Sequence, residues 1–144
     1  MMKPTAKTSP GLLCPSITSI GADAQVFGVV IESAPGALQV GYLTEALPAI
    51  PELLATAAPA KPTEIFRAAA PCAERACKHF DGANCQLVAR ITAMLDPVVS
   101  TLPRCAIRPI CRWFRQEGRA ACLRCPQVTT EQRNPSDLDR AVAG

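Results

Sequence analysis

The sequence predicts a small α+β protein, an N-terminal β-hairpin followed by a short-helix, cysteine-rich, metal-stapled domain. Three observations carry this. Two runs rich in strand formers, VFGVVIE (26–32) and LQVGYLTE (38–45), flank a turn-forming SAPGA. The segment CQLVARITAMLD (85–96) repeats apolar residues at helical spacing. Seven of the eight cysteines fall between Cys72 and Cys125.

Residues 1–22 show no periodic pattern and read as a loose N-terminal segment, although Cys14 sits there. The hairpin is expected over 23–46, with Gly28 weakening its first strand. Residues 47–71 read as a connector rich in Pro and Ala, with one helical turn at Glu52–Thr56. A short helix is predicted after Pro62, capped by Thr63 and running through Glu64, Ile65, Phe66 and Arg67 until Pro71 stops the segment. The cysteine-rich module spans 72–126. Its best helix places Leu87, Val88, Ile91, Met94 and Leu95 on one face and ends at Pro97. A second short helix is predicted in PICRWFRQEG, with Pro109 in the first turn and Gly118 as terminator. Residues 127–144 are polar and read as a disordered tail.

The net charge of +3 selects no class of partner, but its distribution is uneven. Residues 104–125 hold six arginines (Arg104, Arg108, Arg112, Arg115, Arg119, Arg124) and one acid, Glu117. Base-stacking platforms are scarce, with one Trp, one Tyr and four Phe, so nucleic acid is not the expected partner. No apolar run reaches the 18 or so residues of a membrane span. The stretch GLLCPSITSIGA is interrupted by Pro, Ser and Thr, which makes a poor signal peptide. A cytoplasmic protein is expected, in a compartment where thiols stay reduced and clustered cysteines hold metal rather than disulfides.

Cysteine makes up about 13% of residues 72–125, above the density that marks a cysteine-built scaffold. A chain this small gains from such a staple, because it buries little apolar surface. The C-terminal set is Cys105-x5-Cys111-x10-Cys122-x2-Cys125-Pro126, four thiols within 21 residues. The N-terminal set is Cys72-x4-Cys77-x-His79-x5-Cys85, three thiols and the only histidine. Cys85 falls at the entrance of the long helix, where the positive end of the dipole favours a thiolate. Two four-ligand sites are open, one of 105/111/122/125 and one of 72/77/85 completed by His79 or Cys14. A single cluster drawing on both sets is equally open.

All-thiolate ligation with irregular spacing favours one or two [4Fe-4S] clusters. The metal ligands expected are Cys105, Cys111, Cys122 and Cys125, with Cys72, Cys77, Cys85 and His79 for a second site. Zinc is the competing metal, because Cys122-x2-Cys125 and Cys72-x4-Cys77 match the pair spacing of structural zinc sites. The first reading implies electron transfer or redox sensing with a redox partner. The second implies a zinc-stapled interaction module that docks an acidic protein through its arginines. Trp113 and Phe114 are expected to shield the site from water. Phosphate-loop, nucleophile-elbow and H-E-x-x-H signatures are absent, so an enzyme is not expected unless an iron left open by the three-cysteine set does chemistry.

Overall fold

The structure, a computed structural model, describes residues 12–35 and 37–144. It is a small mixed α+β fold. Strands β1 (Leu13–Cys14), β2 (Gln25–Ala34), β3 (Ala37–Pro48) and β4 (Phe66–Pro71) form one antiparallel sheet in the order β1-β4-β2-β3. The helices are short: α1 (Pro51–Leu54), α2 (Pro62–Ile65), α3 (Gln86–Met94), α4 (Arg112–Glu117), α5 (Arg119–Arg124) and α6 (Asp137–Ala143), with single 3-10 turns between them. None of the described helices is long and apolar enough to cross a membrane.

The hairpin is β2 and β3, slightly longer than expected; Gly36 of its turn lies outside the described residues. Gly28 sits at a register shift against both neighbouring strands, and a Cβ there would meet Val40 Cγ1 at 2.7 Å. The strand is therefore irregular where a side chain would not fit.

Strand β4 corrects the connector and the helix expected through Phe66 and Arg67. Helix α2 ends at Ile65 and the chain then runs extended beside β2. Alternation along this strand divides it between two cores. Phe66, Ala68 and Ala70 join Val26, Ala24, Ala49 and Ala57 on one side of the sheet. Ala69 faces the other side with Phe27, Leu13, Val88, Ile91, Ile107, Trp113 and Ala121, the core shared with the helices. Pairing on two edges outweighs the helical preference of three alanines in a row.

Both ends of the chain depart from expectation. Residues 1–11 of the N-terminal segment lie outside the described residues, but Leu13 is buried and β1 pairs with β4. Residues 127–144 are not a disordered tail. Ser136 accepts a hydrogen bond from the Asp139 N–H, and Asp139 in turn accepts from the Ser136 N–H, a capping box that starts α6. Val142 of α6 enters the core. Glu131 accepts from Lys61 and Thr63, and Arg133 pairs with Glu64, tying the segment back to α2.

Helix α3 spans 86–94 and buries Val88 and Ile91, with Leu95 at its end. In PICRWFRQEG, Pro109 belongs to a 3-10 turn at 108–110 and the helix itself begins at Arg112. Gly118 separates α4 from α5 at φ 66° and ψ −146°, a conformation that side chains resist. Cys111 and Cys122 lie on either side of this corner and line one cavity. Gly118→Ala is expected to cost about 1–3 kcal/mol. Thermal unfolding checks this; an unchanged midpoint would show that the corner relaxes freely.

Candidate metal centre

The structure gathers all eight cysteines around two cavities, four at each. The first is a small cavity of about 20 Å³ lined by Cys105, Cys111, Cys122 and Cys125, together with Pro15, Phe27, Tyr42 and Trp113. Cys105 comes from the loop before the 3-10 turn, Cys111 caps α4, Cys122 lies in α5, and Cys125 opens the turn that follows α5. The second cavity is much wider, about 740 Å³, and is lined by Cys14, Cys72, Cys77 and Cys85, with His79 on the same wall. All eight are free thiols. Among the described residues no three His, Cys, Asp or Glu side chains close on a point that would hold one metal ion.

Each cavity has sulfurs held by backbone donors. The N–H groups of Ser16, Ile107 and His79 donate to Cys14, Cys105 and Cys77, in each case two residues on. Cys85 and Cys111 occupy helix N-caps without a side-chain cap hydrogen bond, although the nearby N–H groups of Leu87 and Val88, and of Trp113 and Phe114, favour their thiolates. Such bonds favour the thiolate, as a metal ligand requires. Burial works the other way in the metal-free protein. It raises Cys14 to about 11 and Cys111 to about 12, and also lifts Cys85, Cys105 and Cys122.

Arg67 is a buried residue beside the first cavity's Cys125 that the sequence conceals. It is fully buried on the helix side of β4, with its guanidinium over the Phe27 and Trp113 rings at 5.2 and 5.4 Å. It donates to the carbonyls of Pro15 (3.0 Å), Cys125 (3.2 Å) and Val128 (2.7 Å), and to Cys125 Sγ at 3.4 Å. Among the described residues no carboxylate reaches it. Burial opposes its charge, yet the Cys125 sulfur and the Tyr42 oxygen raise its pKa and keep it a cation. Tyr42, itself raised by burial, also reaches the Cys125 sulfur. A buried cation without a carboxylate relies on its other acceptors, here three carbonyls and the Cys125 sulfur.

The arginines of 104–125 are mostly turned to internal work. Arg108 bonds the Pro103 carbonyl and the Cys122 sulfur and covers the Phe114 ring. Arg112 is buried, pairs with Glu74 at 2.9 Å and lies over Phe80. Arg115, Arg119 and Arg124 donate to the carbonyls of Pro109, Ser100 and Leu95. Among the described residues, three buried side-chain polar atoms lack a partner: Arg108 Nε, Arg112 Nε and Thr129 Oγ1. Arg108 lines the first cavity, and Arg112 and Thr129 line the second. Orphaned polar atoms cost free energy unless something accepts or donates there.

His79 Nδ1 faces Arg90 Nη2 at 2.9 Å, and burial together with Arg90 lowers its pKa, so the ring stays neutral near pH 7. Trp113 is buried and lines both cavities. Comparison with known proteins finds no matching family model, no matching curated protein and no matching solved structure.

Proposed function

We propose that this chain is an iron–sulfur protein, with a [4Fe-4S] cluster on Cys105, Cys111, Cys122 and Cys125 that serves electron transfer or redox sensing. The observation that carries the reading is the cavity lined by four cysteines, one of which, Cys125, accepts from Arg67, a buried cation without a carboxylate. A zinc ion would need all four sulfurs about 2.3 Å from one point. A four-iron cluster instead gives each thiolate its own iron, so its ligands ring a space rather than converge. Cys105, Cys111, Cys122 and Cys125 line one cavity, which at about 20 Å³ would have to open on loading. Donors to the sulfurs from Arg67, Tyr42, Arg108 and the helix N-termini would raise the cluster's potential. Phe27, Tyr42 and Trp113 would keep water from it, and the cluster would staple the helical half to the sheet. Eight free thiols suit a reducing compartment such as the cytoplasm, and a one-electron carrier is the partner this reading implies.

The test is purification without oxygen, followed by metal and sulfide analysis. The protein should be brown, with thiolate-to-iron absorption in the visible. Cys105→Ala and Cys111→Ala should each abolish iron retention at this site, because alanine offers no donor atom. Colourless protein with stoichiometric zinc would overturn the iron reading in favour of a zinc-stapled module. Full iron content in both variants would show that the ligands lie elsewhere.

A further inference from the structure

We infer that Cys14, Cys72, Cys77 and Cys85 hold a second iron–sulfur cluster, and that the two clusters exchange electrons across the Leu13–Cys111 bridge and Trp113. This rests on the reading just proposed for the first cavity and extends it to a second centre.

The second cavity brings together cysteines that are far apart in sequence. Cys14 arrives on β1, whose pairing with β4 sets Cys14 opposite Ala70, and Cys72 follows directly after β4. Cys77 ends a 3-10 turn, and Cys85 caps α3. All four line this one cavity. A fourth thiolate is therefore at hand, and the set is closed by the protein without histidine. His79 stands beside them, but its Nδ1 is engaged by Arg90. Arg112 and Thr129 also line this cavity, and a cationic guanidinium there suits the negative charge of a cluster.

The two cavities are neighbours. Leu13, next to Cys14, forms a parallel bridge with Cys111 of the first set. Bridged strands lie about 4.8 Å apart and successive Cα atoms 3.8 Å, so the Cys14 and Cys111 backbones stand within roughly 9 Å. Trp113 completes the partition, a polarizable ring shared by both walls. An external one-electron carrier would reduce one oxidised cluster. That cluster would then pass its electron to the other, returning to its oxidised state as its neighbour is reduced. No bond is made or broken and no proton is required.

The experiment uses the full chain, kept anaerobic and loaded with ferrous iron and sulfide. Iron should reach about eight per chain in the wild type. Cys14→Ala should lower it to about four, and so should Cys77→Ala, whereas His79→Ala should leave it unchanged. The iron that remains in Cys14→Ala reports that the variant has folded around its first site, and Cys77→Ala repeats the test should β1 fail to pair. After dithionite reduction, electron paramagnetic resonance should show broadened signals from two interacting spins in the wild type and a simple one-cluster signal in either variant. About four irons in the wild type, unaffected by Cys14→Ala, would overturn the second cluster while leaving the first intact. Iron lost with His79→Ala but kept with Cys14→Ala would make histidine the ligand and overturn the assignment. Absence of iron from every form would instead overturn the function proposed above. Two full clusters without spin interaction would overturn the electron exchange.

Discussion

Metal-free protein is expected to lose its fold as the pH climbs from about 9 to about 12, and metal-loaded protein is expected to resist. In the unfolded chain cysteine thiols ionise near 9.0, whereas burial holds Cys14 to about 11 and Cys111 to about 12. Above pH 9 the unfolded state therefore releases protons that the folded state retains, so stability falls with rising pH. Cys85, Cys105 and Cys122 are raised by the same cause and act in the same direction. With about 1.4 kcal/mol for each step of one in pKa, the sum is on the order of several kcal/mol. That rivals the whole stability of an ordinary domain. Metal ligation removes the effect, because the bound sulfurs are already thiolates, and loading must release protons. Urea unfolding followed by circular dichroism at pH 8 and pH 11, with and without iron, measures both halves of the expectation. Equal loss of stability in the two forms would mean that the thiols are not the titrating groups.

Replacing Arg67 with methionine is expected to destabilise the protein by about 3–5 kcal/mol. The guanidinium donates to three main-chain carbonyls and one sulfur from a fully buried position. Methionine fills similar volume but leaves the Pro15, Cys125 and Val128 carbonyls without this donor, each at about 1–3 kcal/mol. Arg67→Lys retains the charge but loses the planar fork, so it should recover only part of the loss. In iron-loaded protein the lysine variant should also show a lower reduction potential, since the bond to the Cys125 sulfur is lost. Thermal unfolding and redox titration read the two effects separately. A methionine variant as stable as the wild type would show that the three carbonyls find other partners.

The grouping of four cysteines around the first cavity was legible in the sequence because they are local. Cys105, Cys111, Cys122 and Cys125 are separated by one helix corner at Gly118, and spacing alone brought them together. Cys85 at a helix entrance was legible in the same way, through the apolar stripe of α3 that follows it. Strand β4 was not legible. FRAAAP carries neither β-branched residues nor alternating polarity, and only its neighbours β1 and β2 make it a strand. Arg67 was hidden for the same reason, since its burial is a property of the sheet rather than of its own segment. Cys14 stood outside the expected cluster because nothing in residues 1–22 announces that β1 will pair with β4. Helix α6 did leave a signal: Ser136 and Asp139 stand at capping-box spacing within the polar composition of 127–144.

The pairing of β1 with β4 also sets an order of assembly. Cys105 to Cys125 closes over 20 positions, whereas Cys14 precedes Cys72 by 58. Loop-closure entropy grows only slowly with length, so the longer closure costs little more at equilibrium. Kinetically the two differ, because non-local strand pairing is slow and must wait for the sheet that rewards it. The first four-cysteine ring can form as soon as α4 and α5 fold against each other. The second cannot exist until β2, β4 and then β1 have joined the sheet. A chain caught partway would present three thiols around an incomplete ring, open to oxygen and to any free metal ion. The short strand Leu13–Cys14 thus acts as the last latch in building the molecule.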